Sequence, residues 1–280
     1  MQIKLWGTRG SLATPGPDTA RYGGNTSCVC VTGAEGTVLV LDAGTGIRRL
    51  GARLPEAIKR VDILLTHLHM DHVQGLGFFA PLYRPGFDVH IWGPASATMN
   101  LQARLMRYLS PPLFPVHLSE LPCQLSFHEV PCGRVEIGEF QVESGMVCHP
   151  GPTVGYRIRA ANGKVLTYMP DHEPALGNPA FPSLPRDWTS GADLATGADL
   201  LIHDSQYSGA EYPRHHGWGH SSLIQTIRYG ALCEVNQLVT FHHDPDHSDE
   251  ILDLITAESI AEVNPGYVVT AGCEGAVFAL

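Results

Sequence analysis

Val61-Asp62-Ile63-Leu64-Leu65-Thr66-His67-Leu68-His69-Met70-Asp71-His72 is the stretch that decides the fold. An apolar run of strand type ends in a turn that carries three imidazoles and a carboxylate within six positions. Alternation along a strand aims His67 and His69 the same way, while Asp71 and His72, past the strand end, can turn toward a neighbouring point. One metal ion can then take His67 and His69, and a second Asp71 and His72, through the nitrogen and oxygen donors that suit zinc, manganese or iron. The chain has 15 histidines, so a chance His-x-His pair is not rare. Four ligand-type residues against the end of an apolar strand are a much stronger signal of a metal site.

A two-metal centre needs ligands from elsewhere, and other strand ends supply them. Met146-Val147-Cys148-His149 closes one apolar run with His149. Val165-Leu166-Thr167-Tyr168-Met169-Pro170-Asp171 closes another with Asp171, and Gln237-Leu238-Val239-Thr240-Phe241-His242 a third with His242. Singly, each could be a structural or surface residue. Together with the turn they make seven ligands, every one closing a strand. His172, His243 and His247 compete by proximity; His242 is preferred because it follows Phe241 directly at the strand end.

The composition is that of a globular chain rather than a disordered one. Of 280 residues, 44% are hydrophobic and 16% charged, enough for one large α/β domain or two small ones. The formal net charge of −10 disfavours long nucleic acid as a partner, because binding a phosphate backbone needs Lys and Arg. The start, Met1-Gln2-Ile3-Lys4-Leu5-Trp6, has no basic leader and apolar run, and stretches such as 37–41 and 61–65 are too short to span a bilayer. A cytoplasmic location and no membrane partner are the expectations. The seven cysteines lack CxxC spacing and read as small buried hydrophobes. Cys28 and Cys30 share one strand face, but no two further ligands for a structural zinc are visible beside them.

There is no sequence repeat or low-complexity linker. Strand patterns fall at 3–6, 28–32, 37–41, 61–65, 89–92, 124–130, 140–147, 155–159, 165–168, 200–203, 238–241 and 267–270. Helical periodicity is clearest at 95–109, 221–233 and 248–262, the last opened by Ser248-Asp249-Glu250. Residues 110–122 and 173–193, each with four prolines, read as long surface loops (Pro111, Pro112, Pro115 and Pro122; Pro174, Pro179, Pro182 and Pro185). Many short strands with helices spread among them predict a sheet-on-sheet core covered by helices.

With these residues in view, the chain resembles the metallo-β-lactamase fold superfamily nearly end to end. Leu41-Asp42-Ala43-Gly44-Thr45-Gly46 precedes the metal turn, and His-x-His-x-Asp-His, His149, Asp171 and His242 follow in order. The resemblance implies an α/β (αββα) fold, a β-sandwich flanked by helices, as a single domain over 1–280. It allocates His67, His69 and His149 to one ion and Asp71, His72 and His242 to the other, with Asp171 bridging. The cofactor is then two divalent ions, Zn2+ first, with Mn2+ or Fe2+ as alternatives. Asp42 is expected to brace the metal turn by hydrogen bonds.

Within the superfamily the chain resembles the phosphodiesterase branch, which includes ribonuclease Z, the phosphoribosyl cyclic phosphodiesterase of phosphonate breakdown and small cyclic-nucleotide phosphodiesterases. Leu200-Leu201-Ile202-His203-Asp204-Ser205-Gln206 is similar to the ribonuclease Z His-Glu-Ala-Thr motif, with Asp204 in place of Glu. Gly219-His220-Ser221-Ser222 is similar to its partner His-Ser-Thr motif. The resemblance implies that Asp204 and His220 pair to assist proton transfer, with Asp71 as a further catalytic carboxylate; the shorter Asp reduces the reach by one carbon. It also implies a homodimer.

Finer signals bear on the substrate. Gly44 and Gly46 invite a dinucleotide reading, but the third glycine would fall at Arg49. The stretches 7–11 and 22–27 offer glycines and hydroxyls that either approach a phosphate or make tight turns. Residues 207–218 place aromatics and Arg214 beside His220, as a base-stacking wall or as a lid. Ribonuclease Z grips transfer RNA with an arm inserted between its His and Asp ligands; here His149 and Asp171 are separated by a hairpin's length. The expected substrate is therefore a small phosphodiester such as a cyclic nucleotide, with tRNA 3′-end cleavage or ribose cyclic phosphate hydrolysis as alternatives. A lactonase or β-lactamase-like hydrolase is a reading of another class, opposed by the Asp204/His220 pair. A silent nucleotide-binding protein is opposed by the complete ligand set.

Overall fold

The structure is a computed structural model that describes residues 1–130, 132–176, 178, 181 and 183–280; Pro179 and Pro182 of the second proline-rich stretch lie outside the described residues. The apolar runs pair into two sheets. The first has β1 (Gln2–Gly7), β2 (Cys28–Thr32), β3 (Val38–Leu41), β4 (Arg60–Leu64), β5 (Asp88–Pro94) and β6 (Gln124–Val130). The second has β7 (Gly133–Ile137), β8 (Phe140–Met146), β9 (Val154–Arg159), β10 (Val165–Met169), β11 (Leu200–Asp204), β12 (Gln237–Phe241) and β13 (Val268–Ala271). The last strand, β14 (Val277–Ala279), returns to the edge of the first sheet beside β1.

Both sheets follow one plan. In the first, β14, β1, β2 and β3 pair antiparallel and β3 to β6 parallel. In the second, β7 to β10 pair antiparallel and β10 to β13 parallel. The repeat is one of topology, which strand pattern alone does not reveal. Parallel strands need crossovers, and the helices lie in them: α1 (Ile47–Gly51), α2 (Met70–Val73), α3 (Leu101–Met106), α4 (Ala192–Ala195), α5 (Leu223–Leu232) and α6 (Asp249–Val263).

Three apolar layers fix the αββα order. Between the sheets, Leu5, Val29, Leu39, Leu41 and Leu64 meet Phe140, Val142, Tyr156, Ile158, Tyr168 and Phe241. Outside the first sheet, Cys28, Cys30, Val40 and Ile63 pack under Ile47, Leu50, Leu101 and Leu105. Outside the second, Leu201 and Leu238 pack under Leu194 and Ile227. Strands buried on both faces explain the continuous apolar runs of β3, β10 and β12. Cys28, Cys30 and Cys233 are buried as expected, whereas Cys132 is exposed. Among the described residues no helix is long and apolar enough to cross a membrane.

The helical reading of 95–109 was too long. Ser96 and Thr98 hydrogen-bond each other instead of propagating a turn, and the Asn100 side chain caps Ala103 N at 2.8 Å, so α3 begins at Leu101. The proline-rich stretch 110–122 carries a short 3-10 turn at Leu118–Glu120, and 173–193 another at Arg186–Trp188.

Candidate metal centre

The parallel strands of both sheets end on one side, and the predicted site residues sit at those ends. β4 delivers His67 and His69 and α2 delivers Asp71 and His72. Past the ends of β8, β10 and β12 come His149, Asp171 and His242. Among the described residues three sets have ligand atoms within 4.8 Å of one another: His67, His69, His149 and Asp171; Asp71, His72, Asp171 and His242; and, beside them, Asp204, His220 and His242. Asp171 belongs to the first two, one oxygen to each. Its Oδ2 lies 3.6 Å from His67 Nε2 and 3.7 Å from His149 Nε2; its Oδ1 lies 3.0 Å from His72 Nε2 and 3.3 Å from His242 Nε2.

The hydrogen bonds behind the rings turn the other nitrogens inward, where His149 Nε2 lies 3.1 Å from His69 Nδ1 and His242 Nε2 3.1 Å from Asp71 Oδ2. His72 Nδ1 donates to Asp42 Oδ2 at 2.8 Å, and His149 Nδ1 to the Gly219 carbonyl at 2.9 Å. His242 Nδ1 faces the Gln206 side-chain oxygen at 3.2 Å. Thr66 gives its hydroxyl proton to Asp42, so Thr66 Oγ1 accepts from His67 Nδ1 at 3.0 Å. These partners hold Nδ1 of the four rings and turn Nε2 toward the cluster, the orientation in which an imidazole takes a metal. His67 Nε2, His72 Nε2 and Asp171 Oδ1 are buried with no hydrogen-bond partner. Orphaned acceptors facing one another are costly unless a cation joins them. Tetrahedral bonds of about 2.1 Å place neighbouring donors about 3.4 Å apart, so the separations fit. The cluster is suited to divalent metal ions.

The electrostatics say the same. Burial would raise the Asp71 and Asp171 carboxyls, but the surrounding imidazoles hold both well below the usual range. Burial drives His67 well down, and it also lowers His69 and His149. His72 is the exception: Asp171, Asp71 and Asp42 outweigh burial and hold it well above its ordinary value.

Asp42 braces the metal turn as expected. Besides His72 it accepts from Thr66 N at 2.7 Å and from Tyr168 OH at 2.9 Å. Asp42, His242 and Ser11 all have left-handed φ, at 57°, 62° and 57°. Such conformations cost about 1 kcal/mol or more outside glycine, and each aims a group at the site, for Ser11 N donates to Asp71 Oδ2 at 2.8 Å. The competitors are engaged elsewhere: His172 faces His203, His243 donates to the Gly272 carbonyl, and His247 pairs with Glu211.

Asp204 and His220 meet directly beside this cluster. His220 Nδ1 lies 2.7 Å from Asp204 Oδ2, so the shorter side chain still reaches. Asp204 is fixed by the backbone N–H groups of His172, Gln206 and Ser221 at 3.0, 3.0 and 3.2 Å. Burial pulls His220 down, but Asp204 and then Asp171 raise it to about 9. Its ring stacks on His242 with centroids 4.9 Å apart.

Two residues escaped the sequence reading. Arg9, in the stretch read as phosphate-approaching or turn-forming, is fully buried. It donates to the carbonyls of Gly23, Asp244 and His247 at 2.8, 3.1 and 2.6 Å, locking the N-terminal loop to the segment after β12. Glu173, also buried, accepts from Tyr212 OH and from the N–H groups of Gly217 and Gly219, the residues leading into His220. Its only sequence signal is its place two residues after Asp171.

Residues 37–243 match the family model described as "Beta-lactamase superfamily domain". A ribonuclease Z from Brevibacillus brevis is 26% identical over 268 residues, which cover 82% of this chain and 83% of that protein. Two solved structures are similar over the whole length. Zn2+-bound PqqB from Methylobacterium extorquens has a TM-score of 0.73 at 18% identity, covering 100% of both chains. The short form of human tRNase Z has 0.69 at 21% identity, covering 100% of this chain and 99% of that one. The chain belongs to the beta-lactamase superfamily and is a metal-dependent hydrolase by its fold and its His/Asp cluster.

Proposed function

We propose that this chain, working as a single domain over 1–280, is a dinuclear phosphodiesterase that hydrolyses a small phosphodiester, a cyclic nucleotide. The observation that carries the reading is the Asp204–His220 pair at 2.7 Å, set against two ligand sets that share Asp171. His67, His69 and His149 hold one ion, Asp71, His72 and His242 the other, and Asp171 stands between them. The all-imidazole and carboxylate donor set favours Zn2+, and it also accepts Mn2+ or Fe2+. Two such ions, when bound, supply Lewis acidity that offsets phosphoryl charge and makes water a better nucleophile.

The chain's own residues do the rest. Asp204 holds His220 by Nδ1 and favours its protonated form, leaving Nε2–H to protonate the leaving ribose oxygen. Gln206 fixes the His242 tautomer and Asp42 that of His72. Ser11 N and the neighbouring rings keep the Asp71 carboxylate in place.

Size of substrate is argued from what lies between His149 and Asp171. The intervening β9 and β10 form a plain antiparallel hairpin from Val154 to Met169, with no arm. With the net charge of −10, this weighs against tRNA. Relatives named ribonuclease Z keep tRNA 3′-end cleavage as the second reading. The test is a hydrolysis panel on metal-loaded protein: 3′,5′- and 2′,3′-cyclic nucleotides, a ribose cyclic phosphate, a tRNA precursor, a lactone and a β-lactam. Preference for cyclic nucleotides supports the proposal; turnover of the lactone or lactam alone overturns it.

A further inference from the structure

We propose that Trp218 is the platform on which the aromatic base of the nucleotide stacks, an inference that rests on the phosphodiesterase reading above. Gly217-Trp218-Gly219 is a tight turn in which both glycines take left-handed φ, 81° and 88°. Both donate their N–H to one carboxylate, Glu173: Gly217 at 3.0 Å to each oxygen and Gly219 at 2.9 Å. Gly219 also has no room for a side chain, because a Cβ there would run into Pro150 and the His149 ring. The backbone on either side of Trp218 is thus tied to a buried carboxylate and to His149, past the end of β8.

The indole held by this rigid turn is nevertheless 61% exposed. A large aromatic left in water forgoes most of the free energy its burial would give. Here the cause is not a loose loop, since its flanking N–H groups are fixed from the interior. An aromatic neighbour of the indole is His215, which meets it edge-on with centroids 5.0 Å apart and stacks on Tyr207 at 4.2 Å; Tyr207 lies 6.1 Å from the His220 ring. An aromatic series therefore runs from the proton-transferring imidazole out to a fixed and exposed indole. A nucleotide whose leaving oxygen meets His220 carries its base one ribose away, and a flat exposed ring two residues along the chain from His220 is what such a base stacks on. Stacking uses the π-face that every base has, so the platform takes purines and pyrimidines alike.

The experiment compares a 3′,5′-cyclic nucleotide with a base-free ribose cyclic phosphate. Trp218→Ala is expected to raise KM for the cyclic nucleotide about 10-fold or more, as loss of one stacked base does, with kcat little changed. The base-free substrate should be unaffected, and Trp218→Phe should recover most of the loss. Tryptophan fluorescence gives a readout independent of turnover: the cyclic nucleotide should quench the wild-type signal, and Trp218→Phe should abolish the quench. Equal effects on both substrates (the behaviour of a lid), no effect on either, or a quench that persists in Trp218→Phe would overturn the proposal. Were wild type to hydrolyse neither substrate, the phosphodiesterase reading would fail, and the fluorescence result would decide the platform by itself.

Discussion

Gly10→Ala puts one carbon where the structure has room for none. A Cβ on Gly10 would lie 2.8 Å from His242 Cγ and closer still to Nδ1 and Cε1. Ordinary contact begins at 3.4 Å, so the ring must retreat by at least 0.6 Å from Cγ alone, and by about 1 Å to clear the nearer atoms. The ring cannot swing freely, because Gln206 holds Nδ1 and Asp71 and Asp171 face Nε2. Gly10 N is also fixed, donating to the His243 carbonyl at 2.9 Å. The backbone at Gly10 is not left-handed, so alanine brings no strain of its own, and the whole effect falls on His242. With His242 read as a metal ligand, a displacement of about 1 Å there is expected to cost on the order of 100-fold in rate. The expected result is a kcat lower by about that factor and weakened binding of one of the two ions, read by steady-state kinetics and metal analysis. Gly16→Ala, whose Cβ meets nothing within 4 Å, is the neutral control. A Gly10→Ala protein with two ions and wild-type kcat would refute the placement of His242.

Other substitutions separate the parts of the site. Asp171→Ala should abolish turnover together with metal content, since both ligand sets lose their shared carboxylate; retention of two ions would contradict it. His220→Ala should keep both ions and lose about 100- to 10,000-fold in kcat, the usual worth of a general acid; near-normal kcat would remove it from proton transfer. Asp42→Asn should weaken metal binding about 10- to 100-fold through His72 and the metal turn, measured by competition with a chelator. Arg9→Ala should destabilise the fold by about 1–3 kcal/mol in denaturant unfolding, because three carbonyls lose a buried donor and Asp249 loses one of the two arginines that face it. His203 and His243 are buried and neutral, held down by burial to about 4 and about 3. Their stabilisation is complete above the unfolded value near 6.5. It is lost as pH falls toward the folded values, at about 1.4 kcal/mol per group per pH unit. Metal-free protein whose unfolding free energy is flat from pH 7 to pH 5 would contradict this.

The site was legible in the sequence wherever chemistry and position coincide. His67 to His72 lie in one turn, and His149, Asp171 and His242 each follow an apolar strand, so residue type and strand end together identified them. The Asp204–His220 pair was legible only through a motif. The unread parts act through the backbone: Glu173 serves by accepting N–H groups of Gly217 and Gly219, contacts 44 and 46 positions away that leave no pattern in residue type. Arg9 likewise binds carbonyls, which every residue has. In the fold, β7 and β14 escaped for different reasons. β14 has three residues, too few for alternation to register. β7 alternates Val135 and Ile137 with charged neighbours on a half-exposed edge, beside a glycine and a cysteine that obscure its start.

The central claim is a two-metal centre that hydrolyses a cyclic phosphodiester. Phosphorus NMR of a 3′,5′-cyclic nucleotide with Zn2+-loaded wild type tests it most directly. The account predicts conversion of the cyclic diester to a monophosphate, stopped by chelation and by Asp171→Ala. A protein that carries two ions yet leaves the diester resonance unchanged would contradict it.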